Sequence, residues 1–350
     1  MTWDVALILS VDGLANGSVY LLAGLGLVLI FSVTRVVFVP FGDIAAFSAL
    51  SLAAFQTNRL PPTIGLVLTL ALLAVLAEWW GLVRRREFAR MPRALAAWGL
   101  LPALPCLAAW AAYRAGAPAA VQIVVSVLLV VPIAPLVARV ALQPIADASV
   151  LVLLIASLAL HFLLSGLGLL FFGPEGSRTD PLVTGSLALT DTFSVNAQVV
   201  LMVGSAIVLS ALFFLMFERT LVGKALRATA VNRVGARLVG IRPARTALMA
   251  YAFASLLGGL IGVLISPVTT MYYDSGFIIG LKAFVAAIMG GMVTYPLTAI
   301  GALAVGLVEI FASFWSGALK DVIVFSLLIP VLMLRSFFAP AEEEEEEIDE

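Results

Sequence analysis

Long apolar runs recur along the whole 350-residue chain, and short polar or charged stretches separate them. A helix that spans a bilayer needs about 20 mostly apolar residues, within a range of about 17 to 25. Eleven runs approach or reach this length: 14–34, 40–56, 63–83, 94–113, 119–138, 149–172, 197–217, 247–270, 277–292, 296–314 and 321–336. They are too long and too uniformly apolar for barrel strands. The pattern predicts an all-α, polytopic membrane protein with about 9 to 11 transmembrane or re-entrant helices.

The composition agrees with this pattern. Hydrophobic residues make up 62% of the chain and charged residues 12%, whereas soluble domains run near 45 to 50% apolar and about 25% charged. So few charges cannot cover a globule in water, but they suit a bundle whose outer solvent is hydrocarbon.

Basic residues cluster in two of the segments between the apolar runs. The loop 84–93 holds five arginines, and the segment 218–245 holds seven basic residues against Glu218 alone. Lys and Arg collect in cytoplasmic loops, so both segments are predicted to be cytoplasmic. Eleven crossings, with the N-terminus outside and the C-terminus cytoplasmic, also place Arg35, Arg139 and Arg335 inside. Arg59, Arg114 and Arg178 then lie outside, and Lys282 and Lys320 are left within or beside spans.

The last residues have a different character. The stretch AEEEEEEIDE at 341–350 contains eight of the 21 acidic residues. A run of like charges repels itself and cannot bury apolar surface. We therefore predict a membrane domain over 1–338 and a disordered acidic tail over 339–350.

Sequence patterns for covalent chemistry are absent. There is no G-x-x-x-x-G-K-[ST] phosphate loop, no G-x-S-x-G elbow and no H-E-x-x-H helix. The lone Cys106 and the lone His161 both lie within apolar runs, which favours a packed core thiol and a packing or pathway histidine over a metal site. The chain is predicted to be no enzyme and to hold no cofactor or metal; if ATP drives it, another subunit binds the nucleotide.

Ionisable residues in the apolar runs mark candidate function, because a charge in hydrocarbon is costly and usually faces a cavity or a partner. Asp43, Glu78, Lys282 and Glu309 are such residues. Glu78 is expected to snorkel to the cytoplasmic surface beside Arg84. Lys282 and Glu309 are expected to pair with each other inside the bundle.

Helix breakers divide one apolar stretch. Gly290-Gly291 followed by Tyr295-Pro296 predicts a broken or re-entrant element. The Gly-, Pro- and Ser-rich loop 173–196 is predicted to be an ordered turn region outside the membrane, where it contacts a partner or only connects two helices.

The segment 218–245 also carries an amphipathic pattern. Leu226, Ala230, Val234, Arg237 and 239–241 predict one short helix with a basic opposite face, which ends at Gly240 before Pro243. A helix outside the membrane between two spans is suited to receive force from a soluble partner.

The motifs GKALRA (223–228) and ARLVGI (236–241) resemble the cytoplasmic coupling region of the branched-chain amino acid (Liv-type) ABC importer permease family. In that family, similar motifs lie between two spans and dock on an ATPase subunit. Three further stretches are similar to the same family and occur in its order: 13–37, 153–174 and 280–309. The resemblance covers nearly the whole chain.

Two departures from the family pattern stand out. The family usually has Asn-Phe-Ala-His-Gly before an acidic residue, whereas this chain has FVPFG before Asp43. Phe38 and Phe41 in place of the Asn and His favour a larger, more hydrophobic solute, unless both phenylalanines face lipid or pack in the bundle. Family members are also shorter, and the surplus falls at 84–138, which is predicted to be a two-helix insertion that returns the chain to the same side.

The resemblance implies a permease subunit of an ABC importer in a bacterial inner membrane, which moves branched-chain amino acids or related small solutes by alternating access. The implied partners are a second homologous permease, two ABC ATPase subunits, a periplasmic solute-binding protein and membrane lipid, with no nucleic acid. The predicted coupling residues are Gly223, Lys224, Arg227, Arg237 and Gly240. The predicted pathway residues are Asn16, Ser18, Tyr20, Phe41 and Asp43. A secondary transporter driven by an ion gradient, a sugar-type ABC permease and, last, a membrane enzyme remain the alternatives.

Overall fold

The computed structural model describes residues 3–84, 86–190 and 193–338. Within these ranges, eight helices are long and apolar enough to cross a membrane: Val5–Thr34, Thr63–Arg84, Phe88–Arg114, Ala119–Ile145, Val150–Phe172, Ala197–Arg219, Pro243–Ile265 and Tyr295–Trp315. Two shorter apolar helices, Phe41–Gln56 and Ser275–Met289, accompany them. The predicted all-α, polytopic fold is confirmed.

Sixteen α-helices follow one another along the described chain. They are α1 (Trp3–Thr34), α2 (Phe41–Gln56), α3 (Thr63–Arg84), α4 (Met91–Leu95), α5 (Leu101–Arg114), α6 (Ala119–Val130), α7 (Ile133–Val137), α8 (Val150–Phe172), α9 (Ala197–Arg219), α10 (Leu221–Val231), α11 (Arg233–Leu238), α12 (Pro243–Ile265), α13 (Ser275–Met289), α14 (Tyr295–Trp315), α15 (Lys320–Ser326) and α16 (Leu328–Phe338). Short 3-10 turns lie at Phe88–Arg90 and Gln143–Ile145, and π-helical turns at Ala96–Leu100 and Ala138–Leu142.

Helix boundaries differ from the predicted runs at several places, two of them near the ends of the chain. Helix α1 begins at Trp3 rather than near residue 14, because the apolar residues of 5–9 continue the helix outward. The run 321–336 is divided into α15 and α16 at Leu327. Pro330 has no N–H to donate to the preceding turn, so it belongs in the first turn of a new helix.

Helix α2 is the most enclosed element of the bundle. All its residues except Ala54 and Gln56 are buried, and α6, α8, α12 and α13 surround it. The chain reaches α2 through the non-helical stretch 35–40, where backbone groups need partners from elsewhere. The Val39 N–H donates to the Ser157 hydroxyl of α8 at 2.9 Å, so a side chain supplies the partner that helical geometry does not.

Glycines permit the closest helix contacts. A Cβ at Gly276 on α13 would overlap the backbone of Gly42 on α2, and a Cβ at Gly262 on α12 would overlap the Ala45 carbonyl. On the opposite side, α1 and α14 meet where Gly306 lies against the Gly17 backbone. Between membrane helices such close approach is itself a source of stability, because lipid removes the hydrophobic drive for association.

The predicted break between the last long helices is confirmed. Helix α13 ends at Met289, and a tight turn reverses the chain before α14 begins at Tyr295. Gly291 and Met292 adopt left-handed φ angles of 70° and 60°. A left-handed residue is expected of a glycine and uncommon for a methionine, so the turn closes in a conformation that a continuing helix cannot adopt.

The loop 173–196 is ordered where the structure describes it, and it contains a feature that the sequence pattern did not indicate. Strands β1 (Ser186–Thr190) and β2 (Phe193–Asn196) form an antiparallel hairpin. Before the hairpin, Ser177 and Met271 exchange two backbone hydrogen bonds of 2.8 Å, and Arg178 donates to the Pro267 carbonyl at 2.8 Å. The loop is thereby tied to the connection between α12 and α13.

Within the region 84–138, the two long helical segments have different surroundings. Helix α5 is a peripheral helix that contacts α3 and α6, whereas α6 packs directly on α2 and α12. That this region is an insertion stays a prediction. The acidic tail 339–350 lies outside the described residues.

The glycine contact between α2 and α13 gives a stability prediction. Gly276→Ala should cost about 1 to 3 kcal/mol, because the added methyl group forces two buried backbones apart. Gly166→Ala is the matched control, since a Cβ there meets no atom within 4 Å. Thermal unfolding in detergent should show a lower midpoint for Gly276→Ala alone. Equal midpoints for the two variants would show that α2 and α13 can separate enough to accept the methyl group without loss of stability.

Candidate functional site

A buried network of charged and polar side chains joins four helices. The Lys282 ammonium of α13 donates to Glu309 Oε1 of α14 at 2.6 Å, which confirms the predicted pair. The Tyr20 hydroxyl of α1 donates to Glu309 Oε2, also at 2.6 Å. Asp321 Oδ1 of α15 lies 2.8 Å from the same ammonium. Asp321 gave no signal in the sequence, because it stands at the edge of its apolar run.

Burial makes this network strongly interdependent. The side chains of Lys282 and Glu309 are 4% and 7% exposed, whereas that of Asp321 is 39% exposed. Separating a buried charge from its partner costs about 3 to 5 kcal/mol, because the remaining charge has no solvent. The two carboxylates beside Lys282 therefore hold α13, α14 and α15 in one arrangement.

A cavity of about 280 Å³ opens against this network. Its polar wall consists of Asn16, Tyr20, Thr269, Ser275, Lys282, Glu309, Ser313 and Lys320. Its apolar wall consists of Ile265, Met271, Ile278, Ile279 and Ile310. Charged groups and isoleucine side chains thus line one cleft among α1, α12, α13, α14 and the start of α15.

A second buried pair lies at the start of α2. His161 Nδ1 of α8 is 2.8 Å from Asp43 Oδ2, and both residues are buried. The His161 ring stacks on Phe277, with 4.5 Å between the ring centroids. Asp43 is in the first turn of α2, where the helix dipole favours a negative charge. The lone histidine thus joins α8 to α2 and α13.

The five predicted pathway residues do not form one site. Asn16 and Tyr20 line the cavity. The Ser18 hydroxyl donates to the Leu14 carbonyl within α1, and Asp43 pairs with His161. Phe41 is fully buried within the chain and lies against Gly26. Ser18, Phe41 and Asp43 are not in the cavity wall, and their place in a solute path stays a prediction.

Two helices, not one, form the segment between α9 and α12, so the predicted single amphipathic helix is wrong. Asn232 has an extended conformation, with φ of −151°, and its side chain accepts the Gly235 N–H at 2.8 Å. An Asn that caps a following helix ends the preceding one. Leu226 is fully buried whereas Val234 is 66% exposed, so the expected apolar face does not continue across the break.

The predicted coupling residues occupy this two-helix segment. Gly223 is buried where α10 crosses the backbone of α9, and it leaves no room for a Cβ. Lys224, Arg227, Arg237 and Gly240 are exposed, and Arg227 donates to Glu218 at 2.8 Å. Gly240, two residues after the last residue of α11, has a left-handed φ of 86°, which prevents the helix from continuing. The segment also exposes large apolar side chains: Leu221 (83%), Val231 (81%), Val234 (66%), Leu238 (84%) and Val239 (75%). Val234 and Val239 belonged to the predicted apolar face, whereas the other three gave no signal in the pattern.

Glu78 pairs with Arg139 and not with Arg84, and its snorkelling to the cytoplasmic surface stays a prediction. The Glu78 carboxylate accepts two hydrogen bonds from Arg139, one of them from Nε at 3.0 Å. The Arg84 guanidinium instead lies 5.1 Å from the centre of the Trp80 ring. Both guanidinium donors converge on one oxygen, Glu78 Oε2, which makes this a charge-assisted contact between distant parts of the chain.

Comparisons with known proteins agree with this architecture. The profile of a family described as "Branched-chain amino acid transport system / permease component" matches residues 94–333. The high-affinity branched-chain amino acid transport system permease protein LivH of Escherichia coli is 29% identical over 208 residues, which are 57% of this chain and 66% of LivH. BraD, the corresponding permease protein of Pseudomonas aeruginosa, is 28% identical over 207 residues, 57% of this chain and 67% of BraD. The chain therefore spans just under two thirds of LivH. No solved structure matches the chain.

The pair at the start of α2 gives a second stability prediction. His161→Leu should destabilise the protein by about 3 to 5 kcal/mol, because it leaves the Asp43 carboxylate buried without its partner. Adding Asp43→Asn should recover part of this loss, since an unpaired amide costs only about 1 to 3 kcal/mol. Thermal unfolding in detergent should rank the native chain above the double variant and the double variant above His161→Leu. A double variant less stable than His161→Leu would contradict a charge-paired contact.

Proposed function

Because the chain belongs to the family of permease components of branched-chain amino acid transport systems, we propose that it is the membrane-spanning subunit of an ABC importer. Its cargo is branched-chain amino acids or related small solutes. The subunit carries out no covalent chemistry, and its sequence has no phosphate-binding loop. Two separate ATPase subunits bind the nucleotide.

The observation that carries the proposal is the two-helix segment α10–α11. It lies outside the spans, between α9 and α12, and its surface combines exposed cations with exposed Leu238 and Val239. Apolar side chains surrounded by charges on a surface mark a protein contact. An ATPase docked on this segment buries the leucine and valine and pairs with the arginines.

The segment is attached to the membrane helices at both ends, so its movement reaches the bundle. Gly223 places α10 directly on the end of α9. The Thr246 hydroxyl of α12 donates to the Thr229 hydroxyl of α10 at 3.1 Å, and both are buried. Closure of the ATPases moves α10, and α9 and α12 follow, which switches the cavity between outward and inward access.

The remaining parts of the proposed importer follow from this arrangement. A second homologous permease completes the membrane portion, and a solute-binding protein delivers cargo to the cavity from the periplasm. The membrane is the bacterial inner membrane, with the N-terminus outside and the C-terminus cytoplasmic, because this orientation places the arginine-rich segments inside. The cavity residues Asn16 and Tyr20 are the best-supported members of the solute path.

Orientation is tested by cysteine labelling in a Cys106→Ala background. Arg86→Cys and Arg242→Cys should be protected from an impermeant thiol reagent in intact cells, whereas Thr184→Cys should react; all three positions are exposed. Permeabilised cells should label all three variants, which controls for reactivity. External labelling of Arg242→Cys would place the coupling segment on the wrong side.

Docking is tested by charge reversal in the assembled complex. Arg227→Glu combined with Arg237→Glu should lower solute-stimulated ATPase activity and uptake about tenfold or more, because repulsion replaces complementary charge. Arg93→Glu, another exposed arginine outside the coupling segment, is the matched control and should change little. Normal assembly and ATPase stimulation in the double variant would contradict the docking site. Uptake by the chain alone, driven by an ion gradient in proteoliposomes, would favour a secondary transporter instead.

A further inference from the structure

We propose that the 280 Å³ cavity is a three-point site for a zwitterionic amino acid with an apolar side chain. Lys320 binds the solute carboxylate, Glu309 accepts from the solute ammonium, and the isoleucine wall contacts the side chain. The proposal rests on the proposed function and adds to it the position of the site and the chemistry that selects the solute.

The assignment of Lys320 to the solute carboxylate follows from the ion pairs of the two lysines in the cavity wall. Lys282 is already neutralised, with Glu309 and Asp321 at 2.6 and 2.8 Å. Lys320 also lines the cavity, but it forms no ion pair with any carboxylate in the part of the chain that the structure describes. The fold thus leaves the charge of Lys320 free for an anionic group that enters the cavity.

The anionic end has acceptor capacity to spare. Each oxygen of Glu309 accepts one hydrogen bond, from Lys282 and from Tyr20. A carboxylate oxygen has about two lone-pair positions, so each can accept one more donor. A solute ammonium that approaches from the cavity can use these positions without displacing Lys282 or Tyr20.

The charge balance favours a solute with both charges and no net charge. The charges of Lys282 and Lys320 are balanced by those of Glu309 and Asp321. A zwitterion therefore leaves the site neutral. A solute with one net charge places an uncompensated charge beside the buried Lys282–Glu309 pair, where solvent compensates it less well than in bulk water. The same argument disfavours uncharged sugars, which leave Lys320 and Glu309 desolvated without partners.

The apolar wall and the volume define the rest of the solute. Ile265, Ile278, Ile279, Ile310 and Met271 together form a hydrophobic surface beside the charged groups. Ligand cavities commonly measure about 300 to 1,000 Å³. The volume of about 280 Å³ lies just below this range, so the cavity has room for one small molecule. An aliphatic side chain fits this surface, and contact with it excludes water from the charged ends.

The test uses the assembled importer in nanodiscs, without the solute-binding protein, and measures equilibrium binding of radiolabelled leucine. Lys320→Met should raise the Kd about tenfold or more, the effect of losing one hydrogen bond to a charged group. Lys320→Arg should retain most of the affinity. Arg59→Met, which removes a different exposed cation, is the matched control and should bind leucine as the native chain does.

Competition with leucinamide and 4-methylpentanoate separates recognition from a structural role. Each analogue lacks one charged end, so each should compete at least tenfold less well than leucine for the native chain. In Lys320→Met, leucine and leucinamide should compete equally, because no partner for the carboxylate remains. A merely structural lysine would weaken both ligands together and leave their ratio unchanged.

Two results overturn the inference while the proposed function stands. One is a native complex that takes up leucine but binds leucine and leucinamide equally well, a measurement that needs no variant. The other is a folded Lys320→Met complex with native affinity and native ligand ratio. A native complex that neither binds nor transports leucine would overturn the inference and the proposed amino-acid cargo together.

Discussion

Hydrocarbon offers no hydrogen-bond partner, so every polar group at membrane depth must find its partner inside the protein. This constraint explains the contacts that organise the bundle. The non-helical approach to α2 is buried, and the Val39 amide is satisfied by the Ser157 hydroxyl of α8. The Lys282 ammonium is held by carboxylates from α14 and α15. These two polar groups therefore tie neighbouring helices together, and the apolar residues around them fill the remaining space.

The two candidate functional regions, the α10–α11 segment and the cavity, lie at opposite ends of helix α12. Near its N-terminus, α12 bonds to α10 through Thr246 and Thr229, and at its C-terminus Ile265 lines the cavity. Close to that end, Gly262 lies on the α2 backbone, so α12 cannot tilt without displacing α2. In the proposed mechanism, a movement of the α10–α11 segment is transmitted along this packed helix to the cavity wall.

The candidate site was predictable where the signal was a costly residue type, and not where it depended on geometry. Lys282 and Glu309 stood out because charges in apolar runs are rare, and the structure pairs them. Asp321 and Lys320 gave no such signal, since charged residues at the edge of an apolar run are ordinary. Glu78 was correctly suspected but given the wrong partner, because Arg139 is 61 residues away in sequence and only tertiary contact brings it close.

Local patterns in the chain predicted the membrane setting, most of the long helices and the break at Gly290-Gly291, but they did not predict the β1–β2 hairpin or the breaks at Asn232 and Leu327. Long apolar runs without a polar face favour membrane helices, and a Gly-Gly pair followed by Tyr-Pro favours a break, because these preferences act over a few neighbouring residues. Tertiary structure decided which faces meet. Close glycine contacts such as that of Gly276 with Gly42 help to fix the rotation and register of the helices. In the resulting arrangement, Tyr20 reaches the cavity. Phe41, which lies in a run of similar composition, is enclosed in the core. Local patterns cannot encode that choice, because it depends on the shapes of several helices at once.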